Sequence, residues 1–296
     1  MEALGDFRPS TAYTRELGDE VRDVRTQSGL SLTKLAEGLG WSSGKLSKLE
    51  NGRRGADTVD LIRLVGYCHG DQAALDRVLD IAREGERGFL IRTHLDGVPD
   101  GLRALIASER KAATITTFEP NVIPGMLQTP EYARALMMTS GDPAVEAGVM
   151  TRMERQELLR RPEPPECTFF IHEAAMHGWV GGSRVMADQM LQLALWSGWG
   201  HVTIRLVPFA VGNRQSFLRS FRYMSFTANE PVIYTEGHAL SVWSERPEVV
   251  AAHKNAINDI DGFALDAQES RSEFARWADR YDRLRGHHDP EGPRLA

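Results

Sequence analysis

The chain of 296 residues is long enough for two domains, each with its own core. With 42% hydrophobic and 26% charged residues, it is neither disordered, collagen-like nor a disulfide-stapled miniprotein. Its 35 basic and 41 acidic residues leave a net charge of −6, which argues against a histone-like coating protein but leaves a local basic patch open.

Residues 1–86 read as an all-helical domain of five short helices. Glu16 to Gln27 carries Leu17, Val21 and Val24 on one stripe before Ser28-Gly29 breaks it. Ser31 is placed to cap a second helix, with Leu32, Leu35, Ala36 and Leu39 at helical spacing. After Gly40-Trp41, Ser42 caps a third helix, Ser43 to Glu50, in which only Leu46 and Leu49 face inward; Asn51-Gly52 ends it. Asp57 to His69 gives a fourth helix on Val59, Ile62 and Val65, and Asp71 to Glu86 a fifth on Leu75, Val78, Leu79 and Ala82.

Gly, Pro and Asp interrupt the periodicity before Gly101, so residues 87–101 are expected to be a linker. Residues 102–285 then read as an α+β domain with a small antiparallel sheet. Helices are expected over 102–113, 130–139, 143–161, 184–198, 247–265 and 269–284, and strands over 168–172, 202–207, 221–226 and 232–235. The polar tail 286–296 is expected to fray. Cys68 and Cys167 have no second Cys or His at metal-ligand spacing, which fits buried thiols in a reducing compartment. Met1–Phe7 lacks the cationic start and apolar block of a signal peptide, and no stretch approaches ~18 uninterrupted apolar residues, so a cytoplasmic protein without a membrane span is expected.

The segment 30–54 has the mechanics of a helix-turn-helix. Ala36 is small where two helices cross, Gly40 permits the tight turn, and Leu46 and Leu49 anchor the second helix. Ser43, Gly44, Ser47 and Lys48 are left facing outward, with Lys45 on their flank. Small polar residues plus lysine let a helix sit deep in the major groove of double-stranded DNA, and its N-terminus with Ser42 can meet a phosphate. From Ser31 to Ala56, Lys34, Lys45, Lys48, Arg53 and Arg54 stand against Glu37 and Glu50, a local net charge of +3 within an acidic chain. Two helices joined by glycine also occur in ordinary bundles; the ordered combination with Leu-Glu-Asn-Gly-Arg is what makes the signal specific. For Asn51 a helix cap and a phosphate contact both remain open, whereas Glu50 reads as a structural ion pair.

On these residues, Leu30–Arg54 resembles the helix-turn-helix of Cro/repressor-type regulators, the XRE family. The resemblance implies a homodimer whose third helix reads bases on a near-palindromic site. The family often has Gln where this chain has Leu32, so that DNA contact is absent and Thr33 or Lys34 is placed to substitute for it. The remainder resembles an actinobacterial group of such regulators sharing a C-terminal domain of unknown function. The matching residues are Val122–Ala133, Arg152, Arg155-Gln156, His172–Ala175, Gly181-Gly182, Gln189, Val207–Phe209 and Tyr234–Glu236. What this implies is a transcriptional regulator, in some cases encoded beside a small partner protein and described as antitoxin-like. An antitoxin-like interaction protein is therefore the alternative reading.

No catalytic constellation or cofactor motif is evident, so no enzyme is expected. His172 and His177 are five residues apart, whereas the zinc-protease spacing of four is needed to place both rings on one helix face. Arg152, Arg155, Arg160 and Arg161 read as a solvated face with ion pairs, or alternatively as an anion site. Trp196, Trp199, Phe209, Phe217, Tyr234 and Trp243 are candidates for lining a pocket for a small-molecule effector, or else for core. The stripe Phe274–Leu284 fits either a dimer seam or intramolecular packing.

Overall fold

Thr11 starts the first helix, α1 (Ala12–Gln27), because its hydroxyl accepts the Thr14 amide at 3.2 Å. The computed structural model describes residues 11–84, 89–93, 100–139, 145–212, 214–237 and 240–284; the expected frayed tail 286–296 lies outside them. Ser31 and Ser42 cap α2 (Leu32–Leu39) and α3 (Ser43–Glu50) by accepting the Lys34 and Lys45 amides at 3.3 and 3.1 Å. Between them Gly40 adopts φ +69°, a left-handed conformation that glycine enters without a Cβ clash. Asp57 caps α4 (Thr58–Tyr67), and α5 (Gln72–Glu84) closes the bundle.

The bundle core is built on fully buried Leu17, Val21, Leu35, Leu46, Leu61 and Leu64. On α4 the inward stripe is Leu61, Leu64 and Val65, whereas Val59 and Ile62, expected inside, are 64% and 44% exposed. Both stripes have helical spacing, and periodicity cannot choose between two apolar faces of one helix; docking against α2 and α5 does.

Within the expected linker, Phe89–Thr93 instead forms strand β1. The second region then runs α6 (Asp100–Lys111), β2 (Thr114–Glu119), α7 (Pro130–Thr139), α8 (Val145–Gln156), β3 (Glu166–His172), the short α9 (Ala174–His177), α10 (Gly182–Trp196) and β4 (Val202–Val207). It ends with β5 (Phe221–Ser225), β6 (Val232–Glu236), β7 (Leu240–Ser244), α11 (Pro247–Phe263) and α12 (Ala267–Leu284). The sheet is larger than expected and mixed: seven strands in the order β1-β7-β6-β5-β2-β3-β4. β2, β3 and β4 are parallel neighbours and the remaining pairs antiparallel. The parallel half follows from the helical connections, α7–α8 before β3 and α10 before β4, since parallel pairing needs a long crossover. The Thr-rich β2 gave no apolar signal of its own and is held by pairing on both edges.

One sheet face carries Ile115, Phe169, Ile204, Met224 and Trp243 and is covered by α10 and α12. The other carries Phe118, Phe170, Val207 and Phe221 against Ile260 of α11. Phe274, Trp277 and Tyr281 are buried in the first of these cores, so the α12 stripe packs within the chain. Arg15 of α1 ties the helical bundle to this region by pairing with Glu245 at 2.5 Å, as does Lys111, 2.7 Å from Asp19. Among the described residues, no helix is long and apolar enough to cross a membrane.

Candidate functional site

Leu46 and Leu49 pull one side of α3 into the bundle, which turns Ser43, Gly44 and Lys48 to solvent together with the cap Ser42. Ser47 is half-buried on the same side. Thr33 and Lys34 are exposed on the first turn of α2, and Arg53 and Arg54 just beyond α3. Among the described residues Lys34, Lys48, Arg53 and Arg54 make no ion pair, so the exposed parts of α2, α3 and the turn after α3 carry four uncompensated cations. Lys45 differs: its Nζ lies 2.6 Å from Asp60 Oδ2 and 3.7 Å above the Trp41 ring, so it bridges α3 to α4.

Two neighbouring residues have structural duties. The Asn51 side-chain amide donates to the Ser47 carbonyl at 2.8 Å, closing the last turn of α3, while its Oδ1 accepts from Arg22 at 3.2 Å. Glu50 is buried and accepts two hydrogen bonds from Arg25 at 2.6 and 3.0 Å, with Arg22 3.5 Å away. That hydrogen bonding to Glu50 raises the Arg25 pKa. The ion pair fixes α3 against α1, and the bundle thereby aims the exposed side of α3.

The six aromatic candidates do not come together. Trp196 and Trp199 stack at 4.8 Å near the end of α10, Phe209 lies against His172 and His177, and Phe217 packs on Phe118. Tyr234 and Trp243 form a further pair at 4.8 Å. Of the six, only Tyr234 borders a cavity of about 270 Å³ on the α6–α8 side of the sheet. The cavity lies where the sheet passes from antiparallel to parallel at β2, and its lining is largely polar: Glu119, Gln128, Arg152, Arg155, Arg222 and Glu236.

Behind its wall Glu109, 1% exposed, accepts from Arg155 at 2.7 and 3.0 Å and from Arg222 at 2.5 Å. Burial opposes ionisation of Glu109, but the two guanidinium groups outweigh it and hold the carboxyl below its usual range. Arg155 is thus a buried partner rather than part of a solvated face, and Arg152 also turns inward to the cavity. Glu119 has the opposite fate. Burial, reinforced by Glu236 and only partly offset by Arg222 and Arg155, lifts its pKa to about 7. Burial likewise pushes the Tyr234 phenol upward, and its hydroxyl donates to Glu236 at 2.9 Å.

The rim is the segment 122–129, clamped by glutamines. Gln189 accepts the Thr129 amide at 2.7 Å and donates to the Leu127 carbonyl at 2.8 Å, while Gln156 donates to the Gln128 carbonyl at 2.5 Å. The stretch Pro124–Ala133, Gln156 and Gln189, separated in sequence, therefore form one structural unit. Glu119 was missed in the sequence because β2 was missed; once that strand is placed, Glu119 falls at its C-terminal end on the face of Ile115 and Thr117.

Comparison with known proteins divides the chain in the same way. A family described as "Domain of unknown function (DUF5753)" matches residues 102–276, and one described as "Helix-turn-helix domain" matches residues 16–78. Among solved structures, the clp gene regulator ClgR from C. glutamicum is 28% identical, with 25% of this chain and 92% of that chain covered and a TM-score of 0.21. The archaeal chromatin protein TrmBL2 is 11% identical, with 80% of this chain and 88% of that chain covered and a TM-score of 0.30. No curated protein matches.

Proposed function

Since the chain belongs to the DUF5753 family and carries a helix-turn-helix domain, we propose that it is a sequence-specific, dimeric, DNA-binding transcriptional regulator of the XRE type, cytoplasmic and of the actinobacterial group. Residues 1–86 are the DNA-binding domain and 102–285 the regulatory and dimerisation domain. The observation that carries the reading is the exposed side of α3, small and polar, together with the uncompensated Lys34, Lys48, Arg53 and Arg54. In this reading α3 enters the major groove with Ser43, Gly44, Ser47 and Lys48 against base edges. Thr33, Lys34, Arg53 and Arg54 hold phosphates, as do Ser42 and the free amides at the start of α3. Lys45 and Asn51 act through position: the first joins α3 to α4, and the second closes α3. A small effector or a protein partner at the second domain shifts operator affinity; a coupling free energy of about 1–3 kcal/mol corresponds to roughly 5–150-fold.

The test is selection of bound fragments from a randomised DNA pool at about 150 mM salt, followed by salt titration of the selected fragments. The expected result is a two-fold symmetric motif with half-sites about one helical turn apart. Absence of enrichment, with only weak salt-sensitive binding, refutes a protein that reads DNA unaided and favours one that needs its partner or effector first.

A further inference from the structure

We propose that the cavity between β2, β5, β6 and α8 binds a small zwitterion of the L-amino-acid class, its ammonium at Glu119 and Gln128 and its carboxylate at Arg155 and Arg222. The hydrogen-bond inventory of the walls supports this. The Gln128 side chain donates from Nε2 to the Ile123 carbonyl at 2.8 Å, which fixes its orientation and leaves its buried Oε1 with no partner. A buried acceptor without a partner is costly, and Gln128 is one of the residues lining the cavity. Glu119 accepts no hydrogen bond and makes no ion pair with any described residue, although it borders the same cavity.

The cationic side is similarly incomplete. Arg155 uses Nε and Nη2 on Glu109, and Arg222 uses Nε on Thr117 and Nη1 on Glu109. Arg155 Nη1 and Arg222 Nη2 donate to no described residue. Glu119 borders the same cavity as both arginines, and neither pairs with it. A carboxylate and two guanidinium groups thus line one cavity without pairing with one another, the arginines anchored on Glu109 and Thr117. A ligand with one charge of each sign completes both.

Volume and rim narrow the class. At about 270 Å³ the space falls below the ~300–1,000 Å³ typical of sites for drug-sized ligands, which suits a small metabolite. Gly125 lies at the rim, where a Cβ would sit 3.7 Å from Arg155 Nη1 and 3.8 Å from Arg152 Nε, so a larger side chain there projects toward the guanidinium groups. As the effector site of the regulator the cavity rests on the DNA-binding reading above, but its occupancy is measured without DNA, so the two fail separately.

The experiment is calorimetric titration of the full-length protein at pH 8 with each of the twenty L-amino acids, followed by the N-acetyl and carboxamide derivatives of any that bind. At least one amino acid is expected to bind, with each derivative at least tenfold weaker. Glu119→Gln is expected to weaken binding at least tenfold without lowering the melting temperature. Gly125→Val, which adds bulk at the rim beside Arg155 and Arg152, is expected to abolish it. Absence of binding by all twenty overturns the proposal. So does equal binding of the N-acetyl form, which makes the site one for simple anions, or undiminished binding by Glu119→Gln.

Discussion

Glu119→Gln is a substitution whose effect on stability has a sign fixed by the cavity. In the folded protein the Glu119 pKa stands at about 7 against 4.5 for an ordinary carboxyl, because burial and Glu236 disfavour its charge more than Arg222 and Arg155 favour it. The folded state therefore holds this proton more tightly than the unfolded state. Wild-type stability declines as pH rises from 4.5 through 7, and the penalty is complete above pH 7. Glutamine has the shape of the protonated acid and never ionises, so it removes the penalty. The stabilisation should grow from about 1 kcal/mol at pH 5 to about 3 kcal/mol at pH 8. Urea denaturation followed by tryptophan emission reads this region, since Trp41 alone of the six tryptophans precedes residue 102. An increment independent of pH, or a loss of stability at pH 8, would refute the account of Glu119 as a carboxyl held against its ionisation.

Lys48→Ala should weaken operator binding by about 1–3 kcal/mol and relax specificity at the base pair it reads. Lys45→Ala should cost less affinity and instead lower bundle stability by about 1 kcal/mol, because its charge is taken up by Asp60; fluorescence titration and thermal melts of both variants separate the two. Glu50→Ala strands the Arg25 guanidinium and should destabilise the helical bundle by about 3–5 kcal/mol, read as an early unfolding transition in circular dichroism. Glu109→Gln leaves Arg155 and Arg222 buried without a counter-charge, and a loss of about 3–5 kcal/mol is expected in urea melts at pH 7. Because the Glu109 carboxyl is held low, its contribution is present above pH 4.5 and disappears as pH falls through the folded-state value. Wild type and Glu109→Gln should therefore converge in strongly acidic urea melts, and parallel curves would argue against the paired carboxylate.

The helix-turn-helix was legible because its determinants are local. Ser31, Ser42, Gly40 and the Leu46/Leu49 pair act within a few residues of one another, and each performs in the structure the duty its chemistry suggests. The duties of Lys45 and Glu50 required the partners brought by α4 and α1, although the charge of Glu50 beside a buried face already pointed to an ion pair. In the second domain, periodicity located the longer helices and the apolar strands β3, β4, β5 and β6. It missed β1, β2 and β7, whose strand character depends on pairing with neighbours far away in the chain.

The sequence by itself determined a helical module with a basic, small-residue surface joined to an α+β domain, because caps, glycine turns and apolar spacing are properties of consecutive residues. Only the tertiary structure decided that Arg155, read as surface, is buried on Glu109 with Arg222, and that Glu119, Gln128 and Glu236 meet around one cavity. Those residues are spread over more than a hundred positions. What joins them is strand order and the glutamine clamp on segment 122–129, and charges so distant in sequence interact only once the sheet has closed the gap between them.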